Sequence, residues 1–149
     1  MLLVHAAGSD RQRDFVDTGW VRDLVRAGRR VMSVDCRGHG ESEGGSGAAN
    51  REVLAGDLVE LLRYTSARRI DLLGHGRGGS ALLALAERRP TRVRSLVLLD
   101  GETEGSDHSA LEALEKAGVP TLLRTGNALR SVTAREDVLG FLAGLPDEG

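Results

Sequence analysis

The chain has 149 residues, enough for one domain around one core. Hydrophobic residues make up 40% and aromatics only 3%, so the interior must be aliphatic and stacking on nucleic-acid bases is disfavoured. Its 20 basic and 22 acidic residues are mixed along the chain for a net charge of -2, which leaves no basic face or tail for a nucleic-acid partner.

Met1 to His5 is apolar, but the run is too short for a signal-peptide core and has no basic start. No later stretch approaches the length of a membrane span, so a soluble, cytoplasmic protein is expected. Leu2–His5 reads as the first strand. Asp14–Ala27 reads as a helix, with Phe15, Val16, Val21, Leu24 and Val25 available for burial. Gly19 delays its start and Gly28 stops it. Val31–Asp35 is the second strand. Cys36, the lone cysteine, excludes an internal disulfide and fits a reducing compartment. A nucleophilic cysteine needs a base and a depressed pKa, and nothing in the sequence fixes His39 beside it, so a spectator thiol is expected.

Cys36–Asn50 is a loop dense in Gly, Ser and Glu, with Gly44–Ala49 on the surface. Arg51–Thr65 is the clearest helix, with Leu54, Leu58, Leu61 and Leu62 on one face. Ile70–Leu73 is the third strand, and the helix Gly78–Arg88 ends before Pro90. Val93–Leu99 is the fourth strand, apolar enough for burial on both faces. Gly101–His108 reads as a polar loop. Ser109 is placed to cap a helix Ala110–Ala117, with Glu112 completing a capping box. Pro120–Thr125 is a fifth strand and Arg135–Leu142 a last short helix. Strands alternating with helices predict an α/β fold: a three-layer sandwich with a mainly parallel sheet of about five strands, residues 1–149 forming one domain.

Four segments carry a resemblance in order and with normal spacing. Val4-His5-Ala6-Ala7-Gly8-Ser9 is similar to an oxyanion loop. Trp20 to Gly28 followed by Arg30-Val31 and Asp35-Cys36-Arg37-Gly38-His39-Gly40-Glu41-Ser42 is similar to a "W…L…G-x-R-V…D-x-R-G-H-G-x-S" passage. Gly74-His75-Gly76-Arg77-Gly78-Gly79 is similar to "G-H-S-x-G-G". Pro90-Thr91-Arg92-Val93 leads into a strand similar to "P-x-R-V-x-x-L-V-L". Together these resemble the α/β-hydrolase family over residues 1 to about 100. The resemblance implies a minimal core without a cap domain and a sheet order of second, first, third, fourth, fifth.

The resemblance also implies a nucleophile elbow, G-x-S-x-G, between the third strand and its helix. Gly76 holds the nucleophile position, and glycine can neither attack a carbonyl nor carry a covalent intermediate. No Gly-x-x-Asp acid motif follows Val119-Pro120-Thr121-Leu122-Leu123. Gly126-Asn127-Ala128-Leu129 stands where the family's late histidine turn would be, and no histidine follows His108. The catalytic candidates are therefore Gly76, at the elbow position, and Asp100 and His75 as non-standard groups, with His5, Ala6, Arg77 and Gly78 as oxyanion-type or ligand-binding candidates. Ser80, one helical turn past the elbow, is expected to face the interior rather than act as nucleophile.

Other readings of these residues are weaker. His5, His39, His75, Asp35 and Asp100 all fall near the carboxyl ends of strands, where zinc could bind, but the resemblance already accounts for the histidines as loop-shaping residues, so no metal is expected. Gly74 to Gly79 also satisfies G-x-G-x-x-G between a strand and a helix, with Asp100 ending the next strand, which leaves a nucleotide-binding module as an alternative. No cofactor is otherwise expected.

The functional expectation is a catalytically silent relative of serine esterases that keeps a crevice for a small carbonyl or acyl ligand. The alternative is a hydrolase or lyase of small carbonyl compounds with a non-standard catalytic group. The second strand, Val31–Asp35, would lie at the sheet edge, where pairing with another copy would give a homodimer.

Overall fold

Five aliphatic runs pair side by side into one sheet, and the sequence between them folds back as helices. The computed structural model describes residues 1–44, 50–101 and 105–146. The strands are β1 (Leu2–Val4), β2 (Met32–Val34), β3 (Ile70–His75), β4 (Val93–Leu99) and β5 (Thr121–Arg124). Their spatial order is β2-β1-β3-β4-β5, and every pairing is parallel. The helices are α1 (Trp20–Arg26), α2 (Arg51–Leu62), α3 (Arg77–Arg88), α4 (Gly105–Lys116) and α5 (Val132–Ala143).

Alternation along the strands divides the core into two layers. Leu2, Val4, Leu72, Leu96 and Leu98 pack on one face with α2, α3 and the buried Ala110 and Leu114 of α4. Leu3, Leu73, Val97 and Leu99 pack on the other with Phe15, Trp20 and Leu24 and with Ala134, Val138 and Leu142 of α5. A parallel sheet needs this double cover, because apolar side chains leave both faces of each strand. The three-layer α/β sandwich and the strand order follow the sequence reading.

Several boundaries differ from expectation. The helix expected over Asp14–Ala27 is split into one π-helical turn, Gln12–Val16, and α1. Gly19, at φ 90°, breaks the run between them. Helix α4 begins at Gly105, so Ser109 lies inside it and does not cap it. Its first turn is fixed by Asp107, whose carboxylate accepts from Ser80 Oγ at 3.2 Å and lies 3.2 Å from an Arg51 guanidinium nitrogen. The polar loop expected over Gly101–His108 is thus helical from residue 105, and its residues 102–104 lie outside the described set. Helix α5 begins three residues before Arg135, where Ser131 Oγ caps it by accepting from Ala134 N–H at 3.1 Å. Of the expected Gly44–Ala49 surface loop, residues 45–49 lie outside the described set.

Strand β3 runs through His75, two residues beyond the expected end, and α3 starts at Arg77. The turn between them is the single residue Gly76. So sharp a turn demands close backbone approach, and the neighbouring glycines provide it. A Cβ on Gly74 would stand 2.4 Å from Gly79 Cα, and one on Gly78 would stand 2.4 Å from the carbonyl oxygens of Val4 and His5. Strand–helix packing therefore accounts for these glycines without a bound phosphate.

Candidate active site

The carboxyl ends of β1, β3 and β4 meet at one place, and the residues that follow each strand converge there. Gly76 adopts φ 54° and ψ -126°, a conformation that side chains other than glycine's rarely enter. Its N–H donates to Leu99 O at 2.9 Å, and its carbonyl accepts from Gly79 N–H at 3.0 Å. A Cβ built on it would point at the Ala6 Cβ, 3.1 Å away. This is the strained strand-to-helix bend that displays a nucleophile in an elbow, here with no side chain on it.

Next to the bend, His75 lies between two carboxylates. Its Nδ1 is 2.7 Å from Asp14 Oδ2, and its Nε2 is 3.7 Å from Asp100 Oδ2. Asp14 is buried and also accepts from Ala6 N–H at 2.9 Å and from Ser9 Oγ at 2.7 Å. Burial alone would raise the Asp14 carboxyl, but the hydrogen bonds with His75, Ala6 and Ser9 outweigh it and hold it below the ordinary aspartate value. An ionised Asp14 can only accept, so Nδ1 of His75 carries the proton of this contact, and the tautomer it selects has its lone pair on Nε2.

Asp100 follows β4 at φ 52°, and its two oxygens accept from Ala128 N–H at 2.8 Å and Leu129 N–H at 3.0 Å. The segment expected at the late histidine turn thus supplies backbone donors to Asp100. Asn127, at φ 62°, turns the chain so that both N–H groups face the carboxylate. Trp20 fixes the same segment from below by donating its Nε1 to Leu129 O at 2.7 Å.

The other expected site residues sort into two groups. Arg77 and Gly78 open α3 and lie in its first turn, where backbone N–H groups have no acceptor within the helix. His5 and Ala6, expected to meet a ligand, are occupied instead. His5 is only 2% exposed; its Nε2 accepts from Cys36 N–H at 2.9 Å and its Nδ1 lies 2.7 Å from Ala6 O. Its ring ties the loop after β1 to the segment after β2. Ala6 gives its N–H to Asp14, so it supports His75 rather than an oxyanion.

His39 plays a second bridging role, accepting from Gly8 N–H at 3.1 Å. Ser80 is half-buried and spent on Asp107. The Cys36 thiol is pushed up to about 11, chiefly by burial and further by the Asp35 and Asp57 carboxylates, which leaves it inert at neutral pH. Among the described residues no group of three His, Cys, Asp or Glu side chains could hold a metal ion, and no helix is long and apolar enough to cross a membrane.

Sequence reasoning missed Asp14. In the sequence it stands as the first residue of an amphipathic helix, where a carboxylate is ordinary. The available signal was its position just before the buried Phe15, which places it at the margin of the core.

Comparison with known proteins agrees with this geometry. Residues 1–138 match the family model described as alpha/beta hydrolase fold. Over 112 residues the chain is 39% identical to a 2-hydroxy-6-oxononadienedioate/2-hydroxy-6-oxononatrienedioate hydrolase of Cupriavidus pinatubonensis, covering 70% of this chain and 37% of that protein. It is 41% identical over 98 residues to an sn-1-specific diacylglycerol lipase of Mus musculus, covering 63% of this chain and 32% of that one. The crystal structure of a predicted CIB-like hydrolase from Thermoplasma acidophilum superposes with a TM-score of 0.77 at 13% identity, covering 97% of this chain and 86% of that chain. A thermophilic esterase from Thermogutta terrifontis superposes with a TM-score of 0.60 at 32% identity, covering 68% of this chain and 36% of that one. The chain spans about a third of the length of the curated relatives it matches. With the elbow bend, the sheet order and these matches in agreement, the chain belongs to the alpha/beta hydrolase fold family.

Proposed function

We propose that this chain binds a small carbonyl or acyl ligand in the crevice above Gly76 and forms no covalent acyl intermediate there. One observation carries the reading: residue 76 has the backbone conformation of a displayed nucleophile and no side chain to display. The relatives that are hydrolases by name support a ligand of carbonyl type, since their names include an oxononadienedioate and a diacylglycerol. The first N–H groups of α3, with the positive end of its dipole, favour a carbonyl or carboxylate oxygen at that spot.

Two measurements test the reading. Incubation of the folded protein with a fluorophosphonate probe is expected to give no label, and calorimetry with butyrate is expected to show saturable binding that weakens when Arg77→Pro removes an N–H from the first turn of α3. A labelled serine on the unmodified chain, or the absence of butyrate binding at millimolar concentration, would overturn it.

A further inference from the structure

Three features stand outside the family pattern: the carboxylate cluster around His75, the Ser80–Asp107–Arg51 group and the groove beside β2. The first carries an argument through to chemistry. The buried Asp14 and the half-buried His75 form an acid–imidazole pair 2.7 Å apart, one residue from the bend where a nucleophile would stand. Asp14 is held from three sides, so the ring of His75 has one tautomer and one orientation. Its lone pair on Nε2 faces the Asp100 carboxylate across 3.7 Å. That gap is too long for a direct hydrogen bond. It suits one water placed to the side, at about 2.8 Å from each group, donating one proton to Nε2 and one to Asp100. Asp100 can accept it, because each carboxylate oxygen has two lone pairs and the backbone N–H groups of Ala128 and Leu129 use one on each.

We infer that His75, positioned by Asp14, acts as a general base that directs a water, in place of a side-chain nucleophile, at the carbonyl carbon of a short-chain ester. The inference deepens the proposed ligand site and rests on it. In the step, one water proton passes to His75 Nε2 while the water oxygen bonds to the carbonyl carbon. The carbonyl π pair moves onto oxygen, which faces the first N–H groups of α3. The tetrahedral species then collapses, the bond to the alcohol oxygen breaks, and that oxygen takes the proton back from Nε2. Water and ester are consumed, acid and alcohol are produced, and no bond to the protein forms. Ala6 couples the two parts, since its N–H holds Asp14 while its Cβ adjoins the bend. Asp14 is a positioning residue, because it touches His75 and not the substrate.

The test uses the whole chain with p-nitrophenyl acetate. Turnover above buffer, without an initial burst, is expected. His75→Gln should lower kcat by about 10²-fold or more at nearly unchanged KM, within the range for loss of a general base. Asp14→Asn should lower kcat by about tenfold or more, and free imidazole should restore turnover to His75→Gly, a rescue that a merely structural histidine would not permit. His108→Gln, on the exposed side of α4, should behave as wild type. Circular dichroism confirms the fold of each variant, and should His75→Gly not fold, the paired loss in His75→Gln and Asp14→Asn decides. Wild-type turnover that survives His75→Gln overturns the inference. Butyrate binding without any turnover overturns it too and leaves the proposed ligand site standing. Absence of both binding and turnover overturns the two together.

Discussion

At the scale of single residues, glycines do unequal work around the elbow. Gly76 has a positive φ but an outward Cβ direction, so a side chain there meets only the Ala6 methyl. Gly78 has an ordinary backbone, yet its Cβ would collide with two backbone carbonyls at 2.4 Å. Backbone cannot step aside as a flexible side chain can. Gly76→Ala should therefore cost about 1–3 kcal/mol, the usual range for a residue held in a sparsely populated conformation. Gly78→Ala should cost about 3 kcal/mol or more, because the helix must lift off β1 to relieve the overlap. Urea unfolding of the two variants checks the order, and a smaller loss for Gly78→Ala would contradict it. The glycine run was readable in the sequence as a bend. Which of its members answers to conformation and which to close approach was not, since that depends on the carbonyls of Val4 and His5, some seventy residues away in the chain.

At the scale of elements, the loops after β1 and β2 are joined through side chains. Asp35 accepts from Arg11 N–H at 2.9 Å and from Glu41 N–H at 3.0 Å. Desolvation alone would raise its carboxyl, but these backbone bonds and the nearby Arg11 guanidinium hold it below the ordinary value. A carboxyl lowered in the folded state binds fewer protons there than in the unfolded chain. Its stabilising contribution is complete above the ordinary aspartate pKa of about 3.9 and disappears as pH falls through the lowered value. Urea midpoints measured from pH 6 down to pH 2 should fall less steeply in Asp35→Asn than in wild type, and the variant should be the less stable at pH 6. Parallel slopes would show that Asp35 does not hold the loops together.

The strands and helices were legible because their apolar spacing is local. The early start of α4 was not, since it turns on Asp107 meeting Ser80 and Arg51, contacts between side chains far apart in sequence. The same reason hid the acid–imidazole pair, since 61 positions separate its members.

At the scale of the whole molecule, the sheet among the described residues ends on β2, which has β1 on one side only. Beside this edge lies a groove of about 590 Å³ lined in part by Ser33, Asp35, Arg37, Asp57 and Leu58. An unpaired strand edge offers main-chain donors and acceptors to a second strand, and we propose that a second copy of this chain takes that place. Only Met32–Val34 are in the strand, so few bonds would form and the association would be weak. Light scattering across a concentration series should show a dimer growing in at high protein concentration, and a strict monomer throughout would dismiss it.

The contact between Ala6 and the bend makes two positions interdependent. A Cβ at 76 would stand 3.1 Å from the Ala6 methyl, tighter than ordinary van der Waals contact. A hydroxymethyl group placed at 76 beside alanine would therefore be crowded, and trimming position 6 to glycine would relieve it. Substitutions at these two places should be contingent on each other, so that the order in which they are made decides how well each is tolerated.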